Sequence, residues 1–519
     1  MRQIFNNFCL ASTIVVLVQS VGASQVSAEA VTGIYSKSQT IKLKVSNFGQ
    51  KIKRVKPSNL AQTPGFPQNL RSPTEVLPQS LPAPSKFNPS PNPLQFPTKP
   101  DEVRLEPAEG ISLQQAFELA RRNNRQLQIA ILTLDRSSAS VREAQAQEYP
   151  TLSIQGGLNS SASDVFSYDA NQQRTGSTGS STALRGTVEL SYNVYTAGER
   201  TARIRAAEEQ LRFDQLDVER LTEQLRLDVS NDYYDLQQAD EQVRINRAAV
   251  TNAEASLRDA QALEQAGVGT RFDVLRSQVQ LANANQNLTN ALSQQQVSRR
   301  QLVNRLSLAQ VANAIASDPV EIAGVWNLPL EESIIQAFQN RAELQQELVQ
   351  RNISEQNRRI ALASIKPRVA VSSNYNISDT FSDDESFGDD YSLGANVTWN
   401  LYDGGAARAS ARAQSVNIAI AETSFADTRN QVRFEVEEAY SNLQSNLANI
   451  QTASVALEQA REALRLARLR FQAGVGTQTD VISAENDLTQ AEGNRVTAIL
   501  DYNRALASLT RAISSGSAP

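Results

Sequence analysis

Side chains able to do chemistry are scarce in this 519-residue chain, and the best-placed ones stand at the ends of helices. There is no histidine, and the only cysteine is Cys9. Histidine is the commonest acid–base group near neutral pH and the commonest metal ligand. A Ser/His/Asp triad, a Cys/His pair and a zinc site of ordinary composition are therefore excluded. Carboxylate-only catalysis and an oxygen-ligated calcium site stay open on composition alone, but no motif points to either. The chain reads as a non-enzyme without cofactor or metal. The carboxylates with a defined setting are Asp273 and Asp480. Each lies three residues after a threonine, Thr270 or Thr477, which is capping-box spacing with a carboxylate in the first helical turn. Arg271 stands beside the first of them.

These residues belong to a turn that occurs twice. Gln265-Ala266-Gly267-Val268-Gly269-Thr270 is repeated without a mismatch as Gln472-Ala473-Gly474-Val475-Gly476-Thr477, a shift of 207. Asp273-Val274 and Asp480-Val481 keep that shift, as do Asn193-Val194-Tyr195 and Asn400-Leu401-Tyr402. Leu113, Ala120, Asn123 and Leu127 answer Leu330, Ala337, Asn340 and Leu344 at a shift of 217, so the first copy carries ten extra residues in between. Internal repetition at a fixed shift means one structural unit used twice.

The elements that position the two turns are long helices. Glu199–Ala266 and Ala406–Ala473 are each 68 residues without glycine or proline. Apolar residues recur at helical spacing: Val218, Leu221, Leu225, Val229, then Val432, Val436, Tyr440, Leu443. Each such helix reaches roughly 100 Å at 1.5 Å per residue. Shorter helices follow the turns, from Phe272 to about Leu308 and from Val481 to about Ile513. Ahead of each long helix stand two segments that alternate with period two. In the first copy Leu152, Ile154 and Leu158 precede Leu184, Val188, Leu190, Tyr192 and Val194. In the second, Val369, Val371, Tyr375 and Ile377 precede Tyr391, Leu393, Val397, Trp399 and Leu401. Leu190, Tyr192, Val194, Val397, Trp399 and Leu401 are expected to face lipid, since ten-residue strands apolar on one side suit an outer-membrane barrel. A half-buried strand of a soluble sandwich alternates in the same way. The connections Ser160–Ala183 and Ser378–Asp390 read as polar loops.

The N-terminal part has a different texture. Residues 1–30 read as a secretory signal, with Arg2, an apolar stretch from Phe8 to Val18, and candidate cleavage sites at Val21-Gly22-Ala23 and Ala28-Glu29-Ala30. Residues 31–107 read as an extended or disordered arm: thirteen of the eighteen prolines lie between Pro57 and Pro107, and such sequence favours polyproline II. A basic cluster within it, Lys42, Lys44, Lys51, Lys53, Arg54 and Lys56, is either a solvated tail or a contact for anionic polymer or lipid headgroups. Residues 108–325 form the first repeat, 326–513 the second and 514–519 a tail. Net charge is −5 with both signs mixed, which argues against nucleic-acid binding.

Taken in order, the signal, the twice-used strand–strand–helix–helix unit, Asn-x-Tyr leading from strand to helix, and Gly-Val-Gly-Thr followed by Asp-Val resemble the TolC-type outer-membrane efflux proteins. The resemblance covers roughly Glu109 to Ile513. It implies an α+β membrane protein: a trimeric 12-stranded β-barrel, four strands per protomer, continued by a long α-helical periplasmic barrel. It also implies an exit duct for a tripartite efflux pump or type I secretion system. The implied partners are a periplasmic membrane-fusion adaptor, an inner-membrane transporter and outer-membrane lipid. On this likeness the tips Gly267, Val268, Gly269, Thr270, Gly474, Val475, Gly476 and Thr477 meet the adaptor, and Asp480, Asp273 and Arg271 line the periplasmic constriction. Asp480 matches the first carboxylate of the family's Asp-Val-Leu-Asp pattern, but Ser483 replaces the second. Arg271 is expected to pair with Asp480 across the mouth. The alternative is a periplasmic coiled-coil adaptor or scaffold, which needs one hairpin rather than two and no lipid-facing strands.

Overall fold

The computed structural model describes residues 87–89, 92, 94, 96–168, 174–381 and 387–513. The signal, Cys9, most of the arm and the tail lie outside them.

The two copies have the same element order. In the first, α1 (Leu113–Asn123) and α2 (Arg125–Ala146) lead to β2 (Thr151–Tyr168), β3 (Arg174–Tyr195), α3 (Glu199–Gln265) and α4 (Arg271–Arg305). In the second, α5 (Leu330–Asn340) and α6 (Ala342–Ala363) lead to β5 (Arg368–Thr380), β6 (Gly388–Thr398), α7 (Ala406–Gln472) and α8 (Gln478–Ile513). The long helices α3 and α7 are 67 residues each. The ten extra residues of the first copy lie in its hairpin: α2 and α3 are separated by 199 − 146 = 53, α6 and α7 by 406 − 363 = 43.

β2, β3, β5 and β6 form one antiparallel sheet in that order, leaving β2 and β6 as its edges. Cross-strand partners share a face, so the register tests the alternation directly. Leu152 opposes Leu190, Ile154 opposes Val188, Tyr192 opposes Val371, and Val371 opposes Ala395. One face is thus apolar across all four strands. The other is polar, with Thr187 Oγ1 donating to Asn376 Oδ1 at 2.9 Å and Asn376 Nδ2 donating to Asp390 Oδ2 at 2.9 Å.

Three residues expected at lipid-facing strand positions stand outside the regular ladder. Val194 is the extra residue of a bulge: pairing jumps from Asn193–Ala370 to Tyr195–Val369, so Tyr195 takes the position on the apolar face. Trp399 and Leu401 come after β6, which ends at Thr398. Both are exposed, and the Trp399 indole N–H donates to the Ile365 carbonyl at 3.1 Å. Likewise, Ser160–Ala183 is mostly paired strand, with Ser160 opposite Thr182 and Tyr168 opposite Arg174. Hydroxyls on both faces remove the period-two signal while leaving the backbone ladder intact.

At the waist, β1 (Glu109–Ile111) and β4 (Ala314–Ala316) form a short parallel pair beside the main apolar cluster. Tyr233, Leu236, Leu302 and Leu500 are fully buried there. The Tyr233 hydroxyl lies 2.9 Å from Asp318 Oδ2 and 3.0 Å from the Ile111 carbonyl. Asp318 also accepts the Leu113 N–H at 2.7 Å. The chain between the repeats is held further on by Asn503, which donates to the Glu321 carbonyl at 2.8 Å, and by Tyr502, which donates to the Gly324 carbonyl at 2.9 Å. Phe87 belongs to the same cluster, buried, with its carbonyl accepting the Ala309 N–H at 3.1 Å. Residues 31–107 are therefore not all a free arm: this aromatic is anchored in the core.

Candidate functional site

The two helix tips are built alike. Gly267 (φ 75°) and Gly474 (φ 74°) take the left-handed conformation that ends a helix at little cost only for glycine. Val268 and Gly269 donate to the Leu263 carbonyl, and Val475 and Gly476 to the Arg470 carbonyl, all within 2.9–3.1 Å. A Cβ on Gly269 would meet the Glu264 nitrogen and Leu263 Cβ at 2.9 Å; on Gly476 it would meet Arg470 Cβ at 3.1 Å. The turns are so tight that the next helix starts at once. Thr270 caps α4, accepting the Asp273 N–H at 3.2 Å while Asp273 Oδ2 accepts the Thr270 N–H at 3.2 Å. At the second tip Asp480 Oδ2 accepts the Thr477 N–H at 3.0 Å and the Asp480 N–H reaches Thr477 Oγ1 at 3.2 Å.

The hydrogen bonds from Thr477, first its backbone and then its hydroxyl, together with nearby Arg470, hold the Asp480 carboxyl below the usual aspartate range. Arg271 does not pair with it. Its guanidinium lies 3.7 Å from Glu264, in the last turn of α3. The tight turn sets the start of α4 against the end of α3, while Asp480 is already engaged by its own helix start. The tips are joined instead by Arg276, whose Nη1 donates to Thr479 Oγ1 at 2.7 Å. Two turns further in, Arg468 bridges Asn252 and the buried Glu485, both at 3.0 Å, and Ser256 donates to Glu485 at 2.7 Å. Apart from Arg468–Glu485, which spans the second tip, the partners in these links are far apart in sequence, and nothing local in the sequence marks them. Val268 and Val475 project from the two tips, about 76% and 69% exposed.

At the other end of the protomer lies the second candidate surface, the apolar face of the sheet. Ile154, Tyr391 and Leu393 are each more than three-quarters exposed on it. From Leu184 to Tyr195 the face runs roughly 37 Å along the strand at about 3.4 Å per residue, or roughly 28 Å along the normal at a 40° tilt. That matches an outer-membrane apolar band, and aromatics gather on it as in the girdles of such barrels: Tyr375 and Tyr391 in the row of Val188, and Tyr192, Tyr195, Trp399 and Tyr402 at the helix end. No described helix is long and apolar enough to cross a membrane. Among the described residues no group of three or more potential metal ligands is present.

The family model described as outer membrane efflux protein matches residues 116–307 and 334–515, one segment in each copy. The pyoverdine export outer membrane protein OpmQ of Pseudomonas putida is 26% identical over 425 residues, 78% of this chain and 86% of OpmQ. The outer membrane efflux protein BepC of Brucella suis biovar 1 is 28% identical over 190 residues, spanning 35% of this chain and 38% of BepC. In three dimensions the outer-membrane channel OprN superposes with a TM-score of 0.67 at 17% identity, covering 85% of this chain and 99% of OprN. With both repeats matched and the fold shared, the chain belongs to the outer membrane efflux protein family.

Proposed function

We propose that three copies of this chain close into a twelve-stranded barrel and a continuous helical tunnel, forming the outer-membrane exit duct of a tripartite efflux or type I secretion assembly. The observation that carries this is the pair of unsatisfied edges on each protomer. The sheet runs β2–β3–β5–β6, and the helices beneath it run α2–α3–α6–α7. Open strand edges do not occur in lipid, so β6 needs a β2 from another copy. The helices call for the same partner. Ile420 lies 420 − 406 = 14 residues into α7, and Leu132 lies 146 − 132 = 14 residues before the end of α2. Both are exposed, and so are their neighbours Val416 and Ile129. They stand at the same height, roughly 21 Å from the sheet at 1.5 Å per residue, on opposite sides of the protomer. A head-to-tail ring covers both patches at once.

In this ring the exposed tips carrying Val268 and Val475 are the surface for a periplasmic adaptor that couples the duct to an inner-membrane transporter. Three copies of Asp480 line the mouth, and the Arg276–Thr479 contact ties the two tips of each protomer together. Like charges brought close disfavour full ionisation, opposing the cap that holds each Asp480 carboxyl down. Purified full chain in planar bilayers tests the reading: cation-preferring pores are expected, with the reversal potential under a salt gradient moving toward zero in Asp480→Ala. Absence of any conductance from folded protein would sink the channel. An unchanged reversal potential would remove Asp480 from the ion path and leave it as a helix cap.

A further inference from the structure

We infer that each helix-to-strand turn at the inner edge of the apolar band holds the phosphate of a phospholipid headgroup, through Arg200 in the first copy and Lys366 in the second. The inference rests on the membrane reading of the sheet.

In the first copy, the Arg200 guanidinium stands 5.8 Å from the centroid of the Tyr192 ring, which lies on the apolar face. Its Nη1 donates to the carbonyls of Asn193 (3.0 Å) and Gln147 (3.3 Å). This fixes the guanidinium at the junction while Nη2 and Nε make no hydrogen bond among the described residues. In the second copy, Trp399 occupies the position equivalent to Tyr192 at the shift of 207. Its indole N–H donates to the Ile365 carbonyl at 3.1 Å, and the exposed Lys366 is the next residue along the chain from this anchor. The second copy has Ala407 in place of Arg200, and the first has Tyr149 in place of Lys366. Each copy thus has one cation at the level of an aromatic, half-buried Tyr192 in the first and exposed Trp399 in the second, supplied by different residues.

Charge pairing separates these cations from their neighbours. Glu199 is bound by Arg368 at 2.8 Å and by Arg203 at 2.7 Å, and the Asp403 carboxylate caps α7 through Gly405 and Ala407. Among the described residues neither Arg200 nor Lys366 has a carboxylate within ion-pair distance. An unpaired cation beside an interfacial aromatic suits a lipid phosphate: the guanidinium or ammonium meets the anion, and the ring lies among the glycerol and upper acyl carbons. The opposite end of the band bears Asp389 and Asp390 instead, with Tyr375 donating to Asp389 at 3.2 Å, so among the described residues of β5 and β6 the charge at that end is negative.

The test supplies the full chain, in nonionic detergent, with equal amounts of phosphatidylglycerol and uncharged monogalactosyl diacylglycerol, and counts retained lipid by native mass spectrometry. Wild type is expected to prefer phosphatidylglycerol. The preference should fall about fivefold per site in R200Q and in K366Q, and R200K should retain it. K366Q alters an exposed side chain and decides the matter if R200Q fails to fold. Equal retention of the two lipids by wild type, or an unchanged preference in K366Q, overturns the inference. So does displacement of the lipid by millimolar inorganic phosphate, which would indicate a free-anion site. Conductance is recorded on the same preparations: pores without lipid preference remove this inference alone, whereas folded protein that never conducts removes the membrane reading beneath it.

Discussion

The helices α3 and α7 are the same element used twice, yet they are packed very differently. Both are 67 residues long, start after a left-handed glycine and end at the same tight turn. Seventeen residues of α3 are buried against nine of α7, because α3 is flanked by α2, α4, α6 and α8 while α7 has neighbours mainly on one side. The interior of α3 includes polar groups with partners, such as Asp214 bonded by Ser137 and Gln237 bonded to the Asp318 carbonyl. On α7, by contrast, Val416, Ile420, Phe434, Leu447 and Val455 are exposed. An apolar stripe on an edge helix marks an association surface rather than a core. A duplicated unit can thus keep its local structure while one copy serves the interior of the chain and the other, in the proposed ring, the seam between copies.

The largest effects are expected where a central element loses its core. Leu236→Ala on α3 should cost about 2–5 kcal/mol, and Phe87→Ala about 3–5 kcal/mol, measured by denaturant unfolding. Phe87 also sharpens what the N-terminal segment does. Deleting residues 31–84 should leave folding intact, whereas extending the deletion through residue 100 should cost as much as Phe87→Ala. Equal stability of the two deletions would show that Phe87 adds nothing. On the edge helix the expectation inverts. Val416→Glu combined with Ile420→Glu should leave helical content unchanged but abolish assembly, seen as a fall in mass by light scattering; loss of helix would mean that α7 is also packed inside the protomer.

Comparing the two tips gives a smaller effect. Gly269→Ala should destabilise by about 1–3 kcal/mol, since its Cβ meets backbone, and Gly476→Ala by less, with its nearest neighbours 0.2 Å further away (3.1 against 2.9 Å). Thermal unfolding that ranks them in reverse would contradict that geometry. Smallest is a pH effect at the waist. Burial pushes the Glu343 carboxyl up, but Arg341 and Arg511 outweigh it and hold it below the ordinary range. A depressed folded pKa means the contribution is present above the unfolded pKa and fades as pH falls through the folded one. Wild type should therefore lose more stability than E343Q between about pH 6 and 3, and parallel pH profiles would sink the assignment.

Much of this architecture was legible in the sequence because the repeat is ungapped from strand end to helix tip. The glycines at 267 and 474, the capping threonines and the helix lengths follow from composition and spacing. What escaped has identifiable physical causes. The bulge at Val194 inserts an apolar residue that itself continues the alternation, so the phase change is invisible until the register is known. The hairpin extension beyond Ser160 has hydroxyls on both faces and no period. Arg271 is expected to pair with Asp480 in the opposite tip, but the turn sets it against Glu264 instead. Phe87 lies in proline-rich sequence that reads as unstructured, and only the three-dimensional fold brings it into the main apolar cluster beside Ala309. Ion pairs and caps compete for the same few charged groups at a tip, and spacing alone does not settle which forms.

In the proposed assembly each protomer is an open arc completed by two others. The most direct test of this assembly is the detergent-corrected mass of the full chain by light scattering, with wild type and the Val416→Glu/Ile420→Glu variant measured side by side. Three chains are expected for wild type and one for the variant. A wild-type mass of one chain in folded protein, or a variant that keeps three, would contradict it.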